Sequence, residues 1–110
     1  MHRDHEIFIF GIENLKKLIL VFVSKEDAGL QLTRSCAPMD FGPSRRATDQ
    51  SDRYHFWDYD SDSPTGRHTL SLLPAQVVSI AATDEDFDPA EFVTWSPIEW
   101  FYPRDWGKFS

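Results

Sequence analysis

Short segments of alternating apolar and polar residues constrain the fold of this chain more than any other feature. From Leu30 to Cys36 the residues alternate with the two-residue period of a half-buried β-strand. Further β-prone segments lie at residues 18–24, 53–59, 68–73 and 77–82, and turn-forming residues fill the connections between them. The pattern predicts a mainly β protein, a small SH3-like or Sm-like barrel of about five antiparallel strands.

The first segment of the chain has two interpretations. Ile7–Phe10 is rich in β-prone residues, whereas Phe8, Ile12 and Leu15 recur at helical spacing. We favour a short helix over residues 6–17, because a clear strand follows it.

Prolines and polar clusters predict where the strands stop. Pro38 is expected to end or bend the second strand. Residues 41–52 contain glycine, proline and small polar residues and are expected to form a loop. Asp84–Asp88 is expected to be a solvated acidic run. With 110 residues, we expect one domain: a barrel over residues 1–88 and an aromatic-rich extension, residues 89–110, packed on it.

Charge and hydropathy narrow the classes of function. Eleven basic against eighteen acidic side chains give a net charge of -7, which disfavours binding to duplex DNA. The longest apolar run, Leu18–Val23, is far shorter than the roughly 20 residues that span a bilayer, so we expect no membrane insertion. Cys36 is the one cysteine and cannot form an internal disulfide. These features are typical of a cytoplasmic protein.

Three segments and one further aromatic residue stand out together: Arg34–Pro38, Tyr54–Trp57, Arg67–Val77 and Phe87. In order and residue type they resemble a family of bacterial regulatory modules, the WYL domain. The similarity spans residues 7–88, and Ser71 and Gln76 stand where that family usually carries arginines. The resemblance implies a small SH3-like or Sm-like barrel and a regulatory, ligand-binding role.

A basic cluster suggests a ligand site. Arginine binds phosphate or carboxylate oxygens through its planar fork, and four arginines lie within 20 residues of a chain that is acidic elsewhere: Arg34, Arg45, Arg46 and Arg53. Tyr54 and Trp57 could stack on a base. The pattern favours a non-enzymatic module that senses a nucleotide or single-stranded nucleic acid, with Arg45 and Arg46 as a loop clamp. The alternative is that these arginines pair with neighbouring aspartates: Asp40, Asp49 and Asp52.

Motifs for metal binding and catalysis are weak. Asp58, Asp60 and Asp62 have the spacing that begins a calcium loop, but the glycine and glutamate that would complete the loop are missing. Cys36 and His55 could form a thiolate–imidazole pair, without any identifiable orienting group. We therefore expect no metal, no cofactor and no enzymatic activity.

Aromatic residues are concentrated at the C-terminus, where seven large rings lie in the last 19 residues. One interpretation is a lid packed over the barrel. The other is a surface for a protein partner, since exposed aromatic rings often dominate binding energy. The second makes the protein an adaptor whose contact residues would be Trp95, Trp100, Phe101, Tyr102 and Trp106.

Overall fold

The computed structural model describes residues 1–25, 28–44, 48–61 and 68–110. In this part of the chain, helix α1 (His5–Asn14) precedes five strands: β1 (Lys16–Ser24), β2 (Leu30–Pro43), β3 (Asp52–Asp58), β4 (Thr69–Leu72) and β5 (Val77–Asp86). Short 3-10 turns lie at Pro74–Gln76, Pro89–Glu91 and Gly107–Phe109. All strand pairs are antiparallel and belong to one sheet, so the predicted mainly β fold with an N-terminal helix is confirmed.

The two edges of the sheet are drawn towards each other. Its strand order is β4-β3-β2-β1-β5, and four steps of about 4.8 Å would place the edge strands ~19 Å apart in a flat sheet. Only the turn at Pro74–Gln76 joins Leu72 to Val77, and five residue steps span at most roughly 18 Å even when fully extended. The two edges must therefore approach each other, which gives the sheet a barrel-like shape.

Helix α1 ends earlier than predicted. Leu15 adopts the left-handed conformation, with φ 56° and ψ 46°, and its N–H donates to the carbonyl of Gly11. The expected continuation through Lys17 is wrong, because Lys16 already pairs with Asp86 of β5. Strand pairing with a distant part of the chain overrides the local helical preference.

Pro38 bends β2 without ending it. The strand continues to Pro43 after a register shift between Pro38 and Asp40, and a bulge of this kind accommodates a proline inside a sheet. The predicted loop at residues 41–52 is therefore wrong at its start, where Phe41 pairs with Tyr54. The acidic run is exposed as expected, although its first residues belong to β5.

The core lies between α1 and one face of the sheet. Phe8 packs edge-on against Tyr54 and Phe56, with ring centroids 4.9 and 5.2 Å apart. On β1 the alternate residues Leu18 and Leu20 are fully buried. The C-terminal segment joins this core through Phe92, Val93 and Trp106. In the described part of the chain, the only α-helix is too short to cross a membrane.

Candidate functional site

The structure separates the predicted ligand-binding arginines. Arg34 lies on β2 with its Nε 3.5 Å from Asp58 Oδ2. Arg53 begins the opposite end of β3, with its Nη2 3.3 Å from Asp49 Oδ2. Arg53 and Asp58, the partner of Arg34, are five positions apart on β3, which is about 16 Å along a strand. One has an odd and the other an even number, so their side chains face opposite sides of the sheet. Arg34 and Arg53 therefore do not line one pocket.

The predicted stacking residues are engaged inside the protein. Tyr54 is 0 % exposed, and its hydroxyl oxygen lies 3.1 Å from the amide nitrogen of His2 and 2.8 Å from His5 Nδ1. Trp57 stacks on Phe92 with ring centroids 5.7 Å apart and also contacts His68. Arg45, Arg46 and Asp62 lie outside the described residues.

Three of the five predicted partner-binding aromatics hold the C-terminal segment in place. Trp106 is 5 % exposed, and its indole N–H donates to the carbonyl of Ile12 at 2.8 Å. The indole of Trp100 donates to the carbonyl of Phe109, and the hydroxyl of Tyr102 donates to Glu13. Trp106 is thus a core residue. The exposed pair is Trp95 and Phe101, at 40 % and 52 %.

Asp40, on the bulge of β2, anchors this segment. Its two carboxylate oxygens accept the backbone N–H groups of Phe101 and Tyr102, each at 2.9 Å. Arg104 Nη2 lies 3.1 Å from Asp40 Oδ1, and the guanidinium packs 4.0 Å from the centroid of the Trp100 ring. Burial lowers the pKa of Arg104 to about 10, and the charge of Asp40 opposes this shift.

The sequence contained only part of the signal for this anchor. Asp40 was expected to pair with an arginine, but with one of the nearby basic cluster. Its partner, Arg104, is the only arginine in residues 89–110. An arginine among aromatic rings is a candidate for burial, and this feature of the sequence could have indicated Arg104 as the partner.

A groove of about 470 Å³ lies between the C-terminal segment and the sheet. We call it the tail groove. Trp95, Trp100 and Phe101 line one side, and His55 and Ser71 line the other. Its acidic lining residues are Asp40 and Glu99, and no lysine or arginine of the described chain lines it.

Gly42 allows the C-terminal segment to reach the sheet. A Cβ atom at this position would lie 2.6 Å from the ring of Phe101, closer than carbon atoms can pack. The Phe101 ring therefore rests directly on the backbone of β2. Any larger residue at position 42 would displace this ring and reshape the groove.

His55 is fixed on the floor of the tail groove. Its Nε2 lies 2.9 Å from the carbonyl oxygen of Gly42, and a carbonyl only accepts hydrogen bonds. Nε2 therefore carries the proton, and in the neutral ring Nδ1 accepts from Ser71 Oγ at 2.8 Å. Both ring nitrogens are used by these two contacts, so His55 contributes a fixed ring surface to the groove.

Cys36 is not part of this groove. It is 0 % exposed, and burial raises the pKa of its thiol. Cys36 pairs with Asp58, so the alternation along β3 places it on the face opposite His55. The two side chains cannot form the thiolate–imidazole pair considered from the sequence.

Comparisons of this chain with models of protein families, with curated proteins and with solved structures found no match. The described residues also contain no cluster of three or more histidine, cysteine or carboxylate side chains placed to hold a metal ion.

Proposed function

We propose that this protein is a non-enzymatic interaction module that binds a basic segment of a partner protein in the tail groove. The observation that carries the proposal is the exposure of Trp95 and Phe101, at 40 % and 52 %, on the wall of a concave site. Their neighbours Trp100 and Trp106 are held by internal hydrogen bonds. This arrangement supports the adaptor interpretation over a simple lid.

Concave shape and exposed aromatic rings together favour binding. Isolated exposed apolar side chains are ordinary, but apolar groups gathered around a groove mark interaction sites. Tryptophan and other aromatic residues are also frequent centres of binding energy. Leu30 is 61 % exposed but does not line the groove, so it provides a comparison.

The charges favour a cationic partner. The groove has aromatic faces on its walls. Its carboxylate Asp40 is already paired with Arg104, so the attraction for a cation comes from the aromatic faces and from the net charge of -7 of the whole chain. A lysine or arginine over a tryptophan face gains about 0.5–2 kcal/mol, depending on how far it is desolvated. The acidic surface would also attract a basic segment before contact. We therefore propose a partner segment with at least one lysine or arginine.

One observation favours a second candidate, the anion-sensing function that the arginine cluster and the WYL resemblance suggested. Arg53 Nε is buried and has no hydrogen-bond partner among the described residues. A bound phosphate or carboxylate could satisfy that donor. This candidate rests on Arg53 without Arg34, because the fold keeps the two apart.

Selection of random twelve-residue peptides displayed against the immobilised chain tests the leading proposal. We expect enriched peptides to contain lysine or arginine and to lose at least tenfold in affinity with Trp95→Ala or Phe101→Ala. Leu30→Ala is the matched control and should bind normally. Enrichment of acidic peptides, or full binding by the Trp95→Ala, Phe101→Ala double variant, would contradict the proposal. Binding of phosphate compounds that disappears with Arg53→Ala would favour the second candidate instead.

A further inference from the structure

The two edges of the sheet differ in how they are closed. Along β5, His2 Nε2 lies 2.8 Å from the carbonyl oxygen of Val77, and Arg3 donates to the carbonyl of Val78 at 3.0 Å. Asp4 accepts the N–H of Ile80 at 3.0 Å. Side chains from the N-terminal segment therefore occupy backbone groups that an added strand would need.

The edge formed by β4 is open. Asp58 donates its N–H to the carbonyl of His68 at 2.7 Å, and the pairing continues in register to Tyr54 and Leu72. Hydrogen-bonded and non-hydrogen-bonded pairs alternate in an antiparallel ladder. The backbone N–H and C=O groups of residues 69 and 71 must therefore point away from β3. None of the described residues hydrogen-bonds to these groups.

The open edge borders the tail groove, because Thr69 and Ser71 are themselves lining residues. Their side chains share a face with their cross-strand partners, Trp57 and His55. A strand added beside β4 would place every second side chain on this same face. Those side chains would then reach the groove, while the backbone bonded to β4.

We infer that the partner segment binds as an added antiparallel or parallel β-strand on β4, bonding to the backbone of Thr69 and Ser71 and placing a lysine or arginine in the tail groove. This inference rests on the proposed function and specifies its mode. Strand addition takes its affinity from main-chain hydrogen bonds and its specificity from pockets for alternate side chains. An open edge beside a groove supplies both.

The charges and the closed β5 edge favour a different protein as the occupant over a second copy of this chain. Two copies would bring together net charges of -7 each, whether they pair through two β4 edges or through β4 and β5. The β4-to-β5 pairing would also have to displace His2, Arg3 and Asp4. A basic extended segment meets neither obstacle.

The first test changes the edge of the full chain. The probe is the basic twelve-residue peptide most enriched by display on the unaltered chain, labelled for fluorescence polarisation. Thr69→Pro removes one outward N–H and leaves the β3–β4 bonds in place, so we expect at least a tenfold loss of affinity. Thr69→Ala keeps that N–H and removes only the side chain, so Thr69→Pro should lose at least fivefold more affinity than Thr69→Ala. Leu30→Ala, away from the groove, is the neutral control. Circular dichroism and thermal unfolding verify that both variants fold, and Ser71→Pro replaces Thr69→Pro if the latter does not.

The second test changes the peptide. Single N-methyl groups along its central residues should abolish binding at every second position only, because alternate N–H groups of an added strand face the sheet. In the complex, the amides of Thr69 and Ser71 should become protected from hydrogen exchange. Uniform sensitivity to N-methylation, or unchanged binding by both proline variants, would overturn strand addition.

These outcomes separate the inference from the proposed function. Binding that resists Thr69→Pro and Ser71→Pro but disappears with the Trp95→Ala, Phe101→Ala double variant contradicts strand addition and leaves the tail groove as the site. Binding that resists the aromatic substitutions contradicts the proposed function. A chain that enriches no basic peptide contradicts both.

Discussion

Arg104 and Asp40 form an ion pair with 3.1 Å between Nη2 and Oδ1, and their side chains are 0 % and 10 % exposed. The same guanidinium donates to the carbonyl of Met39. Asp40 also accepts the backbone N–H groups of Phe101 and Tyr102. One carboxylate on a bulged strand thus fixes the course of the C-terminal segment.

Arg104→Ala should destabilise the fold by about 3–5 kcal/mol, since it leaves a buried carboxylate without its counter-charge. Urea unfolding followed by tryptophan fluorescence measures the loss. Lys108→Ala is the control, because Lys108 lies in the same segment but is exposed, and it should change the free energy of unfolding by less than about 0.5 kcal/mol. Equal stability of Arg104→Ala and the unaltered chain would show that the pair contributes nothing.

Trp106→Ala should mainly reduce the stability of the fold, whereas Trp95→Ala should mainly reduce peptide binding. Removing Trp106, at 5 % exposure, creates a cavity and should cost about 3–5 kcal/mol. Removing Trp95, at 40 % exposure, should cost less than about 1 kcal/mol while it weakens peptide binding. Denaturant titrations beside binding isotherms separate the effects. Equal stability of the Trp106→Ala and Trp95→Ala variants would contradict the assignment of Trp106 to the core.

His5 should make the fold sensitive to mild acid. The Tyr54 hydroxyl accepts the amide N–H of His2 and lies 2.8 Å from His5 Nδ1, so it can donate its proton to that nitrogen when the ring is neutral. Burial lowers the pKa of His5 from its ordinary 6.5. The unfolded chain therefore takes up a proton first, and stability is lost as pH falls below about 6.5.

Denaturant midpoints between pH 7.5 and 4.5 measure this effect against a His5→Gln variant. The variant should be less stable at pH 7.5, because Tyr54 loses a partner, but its decline with falling pH should be shallower. Parallel declines in the two proteins would exclude His5 as the titrating group.

Cys36 should make the fold sensitive to alkali. Burial raises the pKa of its thiol above the ordinary 9.0, so the unfolded chain ionises while the folded chain does not. Stability is complete below pH 9 and falls above it by up to about 1.4 kcal/mol per pH unit. Cys36→Ala should flatten the slope between pH 9 and 10, measured by urea unfolding. In the native state a thiol reagent should not react, and rapid labelling at pH 8 would contradict the burial.

Local patterns predicted β1 and β3 well because burial alternates along both strands. Tyr54 and Phe56 share one face of β3 as the alternation predicted, but that face is the core and not the ligand site at which Tyr54 was placed. The predicted end of α1 was wrong because Lys16 pairs with β5, some 70 positions away in sequence. A local pattern cannot predict such a distant contact. The effect of Pro38 could not be predicted for the same reason. The bulge that lets β2 continue past it is defined by the pairing with β3.

The site was less predictable than the fold. The arginine cluster is evident in the sequence, but Arg34 and Arg53 face opposite sides of the sheet. Composition cannot predict on which face each side chain lies. In the C-terminal segment, the sequence indicated that the aromatic residues are important. It did not distinguish Trp106, which is buried, from Trp95, which is exposed. That distinction depends on the carbonyl of Ile12, which receives the indole N–H of Trp106.

The unequal edges of the sheet also decide how this chain can assemble. Open polymers require two different, complementary edges, so that each added unit presents a fresh end. Here His2, Arg3 and Asp4 occupy backbone groups of Val77, Val78 and Ile80 at the start of one edge, so that part of β5 does not accept the open edge of another copy. If the proposed strand addition holds, this asymmetry would favour a visiting β-strand over a fibre of the chain's own copies.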